Sequence, residues 1–287
     1  LKTLTLEAPA KINLTLDILG KRPDGYHDLQ MVMQSISLCD TVTLETAPGS
    51  GEIAVSTRGA KLPGGPENLA WKAARKFLDD AGLSDISVKI QLEKWIPMQA
   101  GMAGGSADAA AVLRGLRTLL CPECTEERLE AVGAQVGSDV PFCVRGGTAL
   151  AEGRGERLTS LPALPHCWIV VCKPEFGLST PALFGRVQLE KLQNRPDNPA
   201  MQVALGRGDL RKIAAELRNV FEEVLLPEER REIAAIEADL RSRGALNAVM
   251  TGSGPTVFGL FEEKTLAEDA VAALRGRWEQ VYLAEPL

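Results

Sequence analysis

From Leu4 to Ile18 the apolar side chains fall on even positions (Leu4, Leu6, Ala8, Ala10, Ile12, Leu14, Leu16, Ile18), with Thr5, Glu7, Lys11, Asn13, Thr15 and Asp17 between them. A period of two belongs to a strand with one face on a core. Lys11, Asn13 and Thr15 are therefore expected to share the opposite face. Ile86, Val88, Ile90 and Leu92 alternate with Ser87, Lys89, Gln91 and Glu93 in the same way, and predict a second half-buried strand ending near Trp95. Helices are expected over Asn68 to Ala81, Ser106 to Leu120 and Thr125 to Val136. The second is rich in alanine, which favours helix and permits close packing.

Beyond Gly155 the pattern reads strand (Cys167 to Cys172), helices (about Leu210 to Val224 and Glu228 to Arg243), two strands, a helix (Thr265 to Leu274) and a last strand. That order is similar to a split β-α-β-β-α-β sandwich carrying an added helix. A length of 287 residues suits two domains, each able to bury its own core. The boundary is expected near Ser160, where Pro162 and Pro165 interrupt regular structure, giving domains of residues 1–160 and 161–287. Gln193 to Pro199 reads as a surface loop, and no repeat or low-complexity tract is present.

Hydrophobic residues make up 45% and charged residues 24% of the chain, as in an ordinary globular protein, so neither disorder nor a fibrous repeat is indicated. The net charge of -6 argues against a general nucleic-acid binder, so any phosphate ligand must be held locally. No apolar run approaches the roughly 20 residues of a membrane helix, and the first residues lack a secretory pattern; a cytoplasmic protein is expected. Cys121 and Cys124 stand in a C-x-x-C spacing, but His27 and His166 are far apart and no second compact ligand pair exists. The six cysteines read as free, mostly buried thiols rather than a zinc site.

The chemistry concentrates after the second strand, in Pro97, Met98, Gln99, Ala100, Gly101, Met102, Ala103, Gly104, Gly105, Ser106 and Ala107. Strand, glycine run, helix is an anion-binding layout. Glycines let backbone N–H groups turn inward, and the helix adds unsatisfied N–H groups and the positive end of its dipole. A tight turn that merely lets a helix pack closely is the structural alternative. The density of glycines at a strand-to-helix junction favours a di- or triphosphate nest. No Lys follows the glycines and the G-x-G-x-x-G spacing is unmet, so neither the Walker nor the Rossmann nucleotide motif is present.

Pro9-Ala-Lys-Ile-Asn-Leu14, Pro97 to Asp108 and Met250-Thr-Gly-Ser-Gly-Pro-Thr-Val-Phe258, in this order and separation, resemble the three motifs of the GHMP kinase superfamily. The resemblance implies an α+β two-domain fold: an N-terminal domain like ribosomal protein S5 domain 2 and a ferredoxin-like C-terminal domain. Gly25-Tyr-His27, Pro66-Glu-Asn-Leu69 and Gly137-Ser-Asp-Val-Pro-Phe142 narrow it to one branch. That branch uses ATP to phosphorylate the 2-hydroxyl of 4-diphosphocytidyl-2-C-methyl-D-erythritol in the non-mevalonate isoprenoid pathway. By this resemblance Asp139 is the base and Lys11 its cationic neighbour, Asn13 holds polar substrate atoms, and Asn68 lies near the adenine or ribose. The same resemblance makes Tyr26, His27 and Phe184 the cytidine pocket. Thr251 to Gly254 closes the substrate side, and Mg²⁺ accompanies ATP with no carboxylate cluster to mark a protein ligand.

Each residue also has a plain structural alternative. Lys11 suits a solvated strand face, Asp139 a turn or cap before Pro141, and Asn68 a helix N-cap. Tyr26 and Phe184 suit packing, and Thr251 to Gly254 a hairpin turn. The chain departs from the family pattern at Met102 (usually Leu), Ala107 (usually Ser), Thr251 (usually Ser) and Ser138 (usually Ala). Loss of the hydroxyl at Ala107 leaves the backbone nest intact. A GHMP kinase for another small alcohol, or an idle nucleotide-binding module on the same scaffold, remain as alternatives.

Overall fold

A computed structural model describes residues 1–287. The elements run β1 (Lys2–Lys21), β2 (His27–Pro48), β3 (Ile53–Arg58), α1 (Leu69–Ala81), β4 (Ile86–Glu93), α2 (Gly104–Leu120), α3 (Glu126–Ala134), α4 (Val140–Arg145), β5 (Thr148–Gly153) and β6 (Arg157–Ser160). They continue with β7 (Trp168–Lys173), α5 (Thr180–Arg186), α6 (Asn198–Arg207), α7 (Leu210–Ala215), β8 (Arg218–Asn219), α8 (Pro227–Ser242), β9 (Asn247–Met250), β10 (Val257–Phe261), α9 (Lys264–Leu274) and β11 (Gln280–Ala284). Two compact units interleave along the chain. One comprises Leu1–Ala10, Cys39–Ile96 and Ala103–Gly146; the other comprises Lys11–Leu38, Pro97–Met102 and Gly147–Leu287.

In the first unit β4 pairs antiparallel with the Thr41–Pro48 stretch of β2 and parallel with β3. Helix α1 forms because Ala70, Ala73, Ala74, Phe77 and Leu78 recur at helical spacing and bury one face. It starts at Asn68, whose side chain accepts the Ala70 N–H, and ends at Gly82 in the left-handed conformation. Helix α2 is buried through its middle, from Ala107 to Leu116 apart from half-buried Arg114. Gly115 lets it come down onto the sheet, since a Cβ there would overlap Leu44 and crowd Leu6 at 2.9 Å. The polar half of the alternation in β4 stays outside, while Val88, Ile90 and Leu92 are buried.

In the second unit the Leu29–Gln34 stretch of β2 pairs antiparallel with β5, and β5 with β6. Thr15 and Leu16 of β1 pair in parallel with β8. A separate antiparallel sheet has the order β11-β7-β10-β9. Numbering these strands one to four along the chain gives the order four-one-three-two, the ferredoxin-like arrangement expected of a split β-α-β-β-α-β unit. Helices α8 and α9 pack on it through Ile233, Ile236 and Leu240, and through Ala267, Ala270 and Leu274.

Two expectations change in detail. The single helix expected over Leu210 to Val224 is α7, a two-residue strand and a 3-10 turn at Val220–Val224, because Asn219 directs its side chain to the backbone instead of continuing a helix. The surface loop expected at Gln193 to Pro199 is present over residues 193–197 but ends earlier, and it is anchored at both ends. Arg195 pairs with Asp17 at 2.8 Å, and buried Asn198 begins α6.

Candidate functional site

In the second unit the three motif segments meet at Gly101. Lys11 is only 4% exposed and Asn13 fully buried, so neither is a solvated strand position. The Lys11 ammonium donates to Asn13 Oδ1 at 2.7 Å and to the Gly101 carbonyl at 2.9 Å, while the Lys11 N–H donates to the Met102 carbonyl at 3.2 Å. The Asn13 N–H donates to Thr251 Oγ1 at 2.9 Å. A Cβ on Gly101 would overlap the Thr251 carbonyl and lie 2.9 Å from Gly254 N, so the glycine run and the Thr251–Gly254 loop touch backbone to backbone. Thr15, the third polar residue of the strand face, donates to Asn198 Oδ1 at 2.5 Å.

The run itself alternates into the left-handed region, at Gln99 (φ 50°), Gly101 (φ 70°) and Ala103 (φ 59°). For Gln99 and Ala103 that conformation costs roughly 1–2 kcal/mol each. Such strain concentrates at functional loops, and alternation of this kind turns successive N–H groups to one side.

In the first unit the run leads into α2. No side chain caps that helix, so its first-turn N–H groups are available to a ligand, with Gly105 exposed and Ser106 half-buried. Below them, Lys94 pairs with Asp40 and, at 2.5 Å, with Asp108 of α2; all three are buried. Burial, partly offset by Lys94, raises the Asp108 carboxyl well above the usual range. Asn68 is the α1 cap, and its amide also donates to the Pro63 carbonyl at 2.9 Å, so both ends of the side chain have structural partners. Asp139 immediately precedes α4 but does not cap it with its side chain, which removes the capping explanation for an acid there.

His27 and Phe184 come together in the second unit, their rings stacked at 4.7 Å and 17°. Phe221 meets Phe184 edge-on at 5.0 Å. Tyr26, 56% exposed, lies under the Arg154 guanidinium at 4.9 Å. Burial and then Lys21 lower the His27 pKa, which favours the neutral imidazole, with one ring nitrogen able to donate and one to accept.

Several supporting residues gave no sequence motif. Asn219 Nδ2 donates to the carbonyls of Met250 and Gly252 at 2.8 Å each, and its Oδ1 accepts the Phe221 N–H at 3.0 Å. Glu222 accepts the Met250 N–H at 2.8 Å; burial and then Glu237 raise its pKa. Together they hold the Thr251–Gly254 loop from behind. The one available signal was the polar Asn219 interrupting an otherwise helical pattern. Asn219→Ala is expected to lower unfolding free energy by about 2–4 kcal/mol, from three lost hydrogen bonds and two stranded carbonyls, measured by urea denaturation.

No His, Cys, Asp or Glu group of three or more is placed to hold a metal ion, and no helix is long and apolar enough to cross a membrane. All six cysteines are free; Cys121 and Cys124 are buried with their sulfurs 2.6 Å apart.

Residues 68–147 match the model of the GHMP kinases N terminal domain and residues 201–280 that of the GHMP kinases C terminal. The chain is 47% identical to a 4-diphosphocytidyl-2-C-methyl-D-erythritol kinase of Exiguobacterium sibiricum, over 99% of this chain and 98% of the relative. It is 42% identical to the kinase of the same name from Bacillus subtilis, over 96% and 94%. A crystal structure of 4-(cytidine 5'-diphospho)-2C-methyl-D-erythritol kinase superposes with a TM-score of 0.81 at 35% identity, covering 99% of both chains. Homoserine kinase from Cytophaga hutchinsonii shares the fold, with a TM-score of 0.76 at 17% identity over 98% of this chain and 94% of that one. With three motif segments converging on Gly101 and both family models matched, the chain belongs to the GHMP kinases, in the 4-diphosphocytidyl-2-C-methyl-D-erythritol kinase family.

Proposed function

We propose that this chain transfers the γ-phosphoryl group of ATP to the 2-hydroxyl of 4-diphosphocytidyl-2-C-methyl-D-erythritol, giving the 2-phosphate and ADP, as a cytoplasmic step of the non-mevalonate route. The observation that carries phosphoryl transfer is the Gly101 junction. One buried lysine is held at the carbonyl of a strained glycine run, and that run leads into an uncapped helix N-terminus. Phosphoryl transfer needs positioning and charge stabilisation more than covalent chemistry, and this arrangement provides both.

In this reading the run from Pro97 to Ala107 holds the ATP phosphates through backbone amides, with Asn68 beside the adenosine end. Mg²⁺ enters as part of the MgATP substrate, held in this reading largely by phosphates and water. Asp139 accepts the proton of the acceptor hydroxyl, and Lys11 offsets the charge that develops on the incoming oxygen and the phosphoryl group. Asn13, fixed between Lys11 and Thr251, orients polar atoms of the acceptor. Tyr26, His27 and Phe184 take the cytidine end. Their aromatic surface and a neutral imidazole suit a nucleobase, and favour this acceptor over homoserine or mevalonate, which carry no ring to stack.

The test is ADP release with the cytidine diphosphate alcohol as sole acceptor, run beside homoserine and mevalonate. Turnover confined to the cytidine compound is expected. Turnover of a non-nucleotide alcohol with none of the cytidine compound would overturn the assignment, and absence of turnover with all three would favour an idle binding module.

A further inference from the structure

The ion cluster of Lys94, Asp40 and Asp108 has no part in the chemistry above, yet it touches both ends of the glycine run. Asp40 of β2 accepts the N–H groups of Trp95 and Ile96 on one oxygen, at 2.6 and 2.8 Å; these are the two residues before Pro97. Its other oxygen receives the Lys94 ammonium, which also donates to Asp108 Oδ2 at 2.5 Å, in the second turn of α2. One ammonium thus ties the chain where it enters the run to the helix by which it leaves. The fit beneath that helix is close. A Cβ on Gly104, the first residue of α2, would lie 3.2 Å from Ile96 Cγ2 and 3.6 Å from Lys94 Nζ.

Two carboxylates and one ammonium are a costly way to fill a core. Apolar side chains of similar volume commonly serve stability as well or better. The ions supply directional bonds, and these fix the distance between Ile96 and the first turn of α2. Asp108 is 2% exposed and its Oδ1 has no hydrogen-bond partner, so the raised proton affinity of this carboxyl lets one proton complete a neutral cluster.

We propose that Lys94, Asp40 and Asp108 are positioning residues for the nucleotide: a buried clamp that holds the phosphate-binding amides of α2 in register with the start of the glycine run, and so sets ATP affinity but not acceptor affinity. This rests on the reading that the glycine run holds the ATP phosphates.

The test is a charge-free triple variant, Lys94→Met with Asp40→Asn and Asp108→Leu. It keeps the Asp40 oxygen that accepts the two N–H groups and removes only the tie. Thermal stability close to that of the unmodified protein is expected, with KM for ATP raised about tenfold or more by misplacement of the amides, and KM for the acceptor within about twofold. A purely structural cluster predicts instead that a stable variant keeps its ATP affinity, and that result would overturn the clamp. The single Asp108→Leu, which removes the Asp108 acceptor of the tie and leaves Lys94 paired with Asp40, read by direct binding of a non-hydrolysable ATP analogue, gives the same decision if the triple variant does not fold: weakened nucleotide binding supports the clamp, and unchanged binding overturns it. Gly104→Val is measured in parallel. Its ATP KM should rise as well. An unchanged value in both Gly104→Val and the triple variant overturns the glycine-run reading and the clamp with it, whereas an unchanged value in the triple variant alone overturns only the clamp.

Discussion

Asp139→Asn is expected to lower kcat by roughly 10²–10⁴-fold, the contribution of a positioned general base, while KM for ATP stays within about twofold. The change is nearly isosteric. It falls at a half-buried residue whose carboxylate does not cap α4, so the helix loses no cap hydrogen bond. The backbone contribution of Asp139, its carbonyl accepting the Cys143 N–H at 3.1 Å, is unaffected by the substitution. Steady-state kinetics with the cytidine diphosphate alcohol, together with nucleotide binding, separate the outcomes. A fall in kcat with intact ATP binding fits a base, whereas unchanged turnover removes Asp139 from the mechanism. Lys11 offers a less clean test, because its ammonium also holds Gly101 and Asn13, and losing it would disturb the loop as well as the chemistry.

How much of this was legible in the sequence depends on how local each cause is. The face of α1 is written at i, i+3, i+4 spacing and its cap at Asn68, so the helix could be read from fourteen consecutive residues, Asn68 to Ala81. The strand character of β1 was equally plain, but its environment was not. Residues 10–18 are buried on both faces, because Thr251, Asn198 and the glycine run cover the polar side from positions far along the chain. β2 carries no clean alternation where Met31 to Ile36 are all buried, and it gave no strand signal there. The site shows the same division. The glycine run announces itself by composition, as does the Gly252 and Gly254 loop. The Asp40–Lys94 pair joins residues 54 positions apart, and Asn219 reaches 31 and 33 positions to the loop it supports. Such bonds exist only once the fold has formed, and no spacing rule finds them.

The two glycine loops also constrain one another, and Gly101→Ala tests that constraint directly. Gly101 has a φ of 70°, so alanine there pays the left-handed penalty of roughly 1–2 kcal/mol. The larger effect is steric. The new methyl would overlap the Thr251 carbonyl and crowd Gly254 N at 2.9 Å and Gly254 O at 3.3 Å, all backbone atoms that cannot rotate away. The opposing loop has little room to yield, since a Cβ on Gly252 would in turn overlap the Gly101 carbonyl, and Asn219 fixes the Met250 and Gly252 carbonyls from behind. Relief therefore means displacing the run itself, along with the carbonyl that accepts the Lys11 ammonium. A shift on the order of 1 Å at such a position costs about 10²-fold, so kcat/KM is expected to fall by at least that factor, with a stability loss of about 2–4 kcal/mol once overpacking is added. Gly82→Ala is the control. Gly82 has a φ of 68° with nothing within 4 Å of its added Cβ, so it carries the same backbone cost without the collision. It should lose about 1 kcal/mol and keep kcat/KM within twofold or so. If Gly101→Ala proves no worse than Gly82→Ala in either measurement, close approach of the two loops is not what holds the Lys11 junction together.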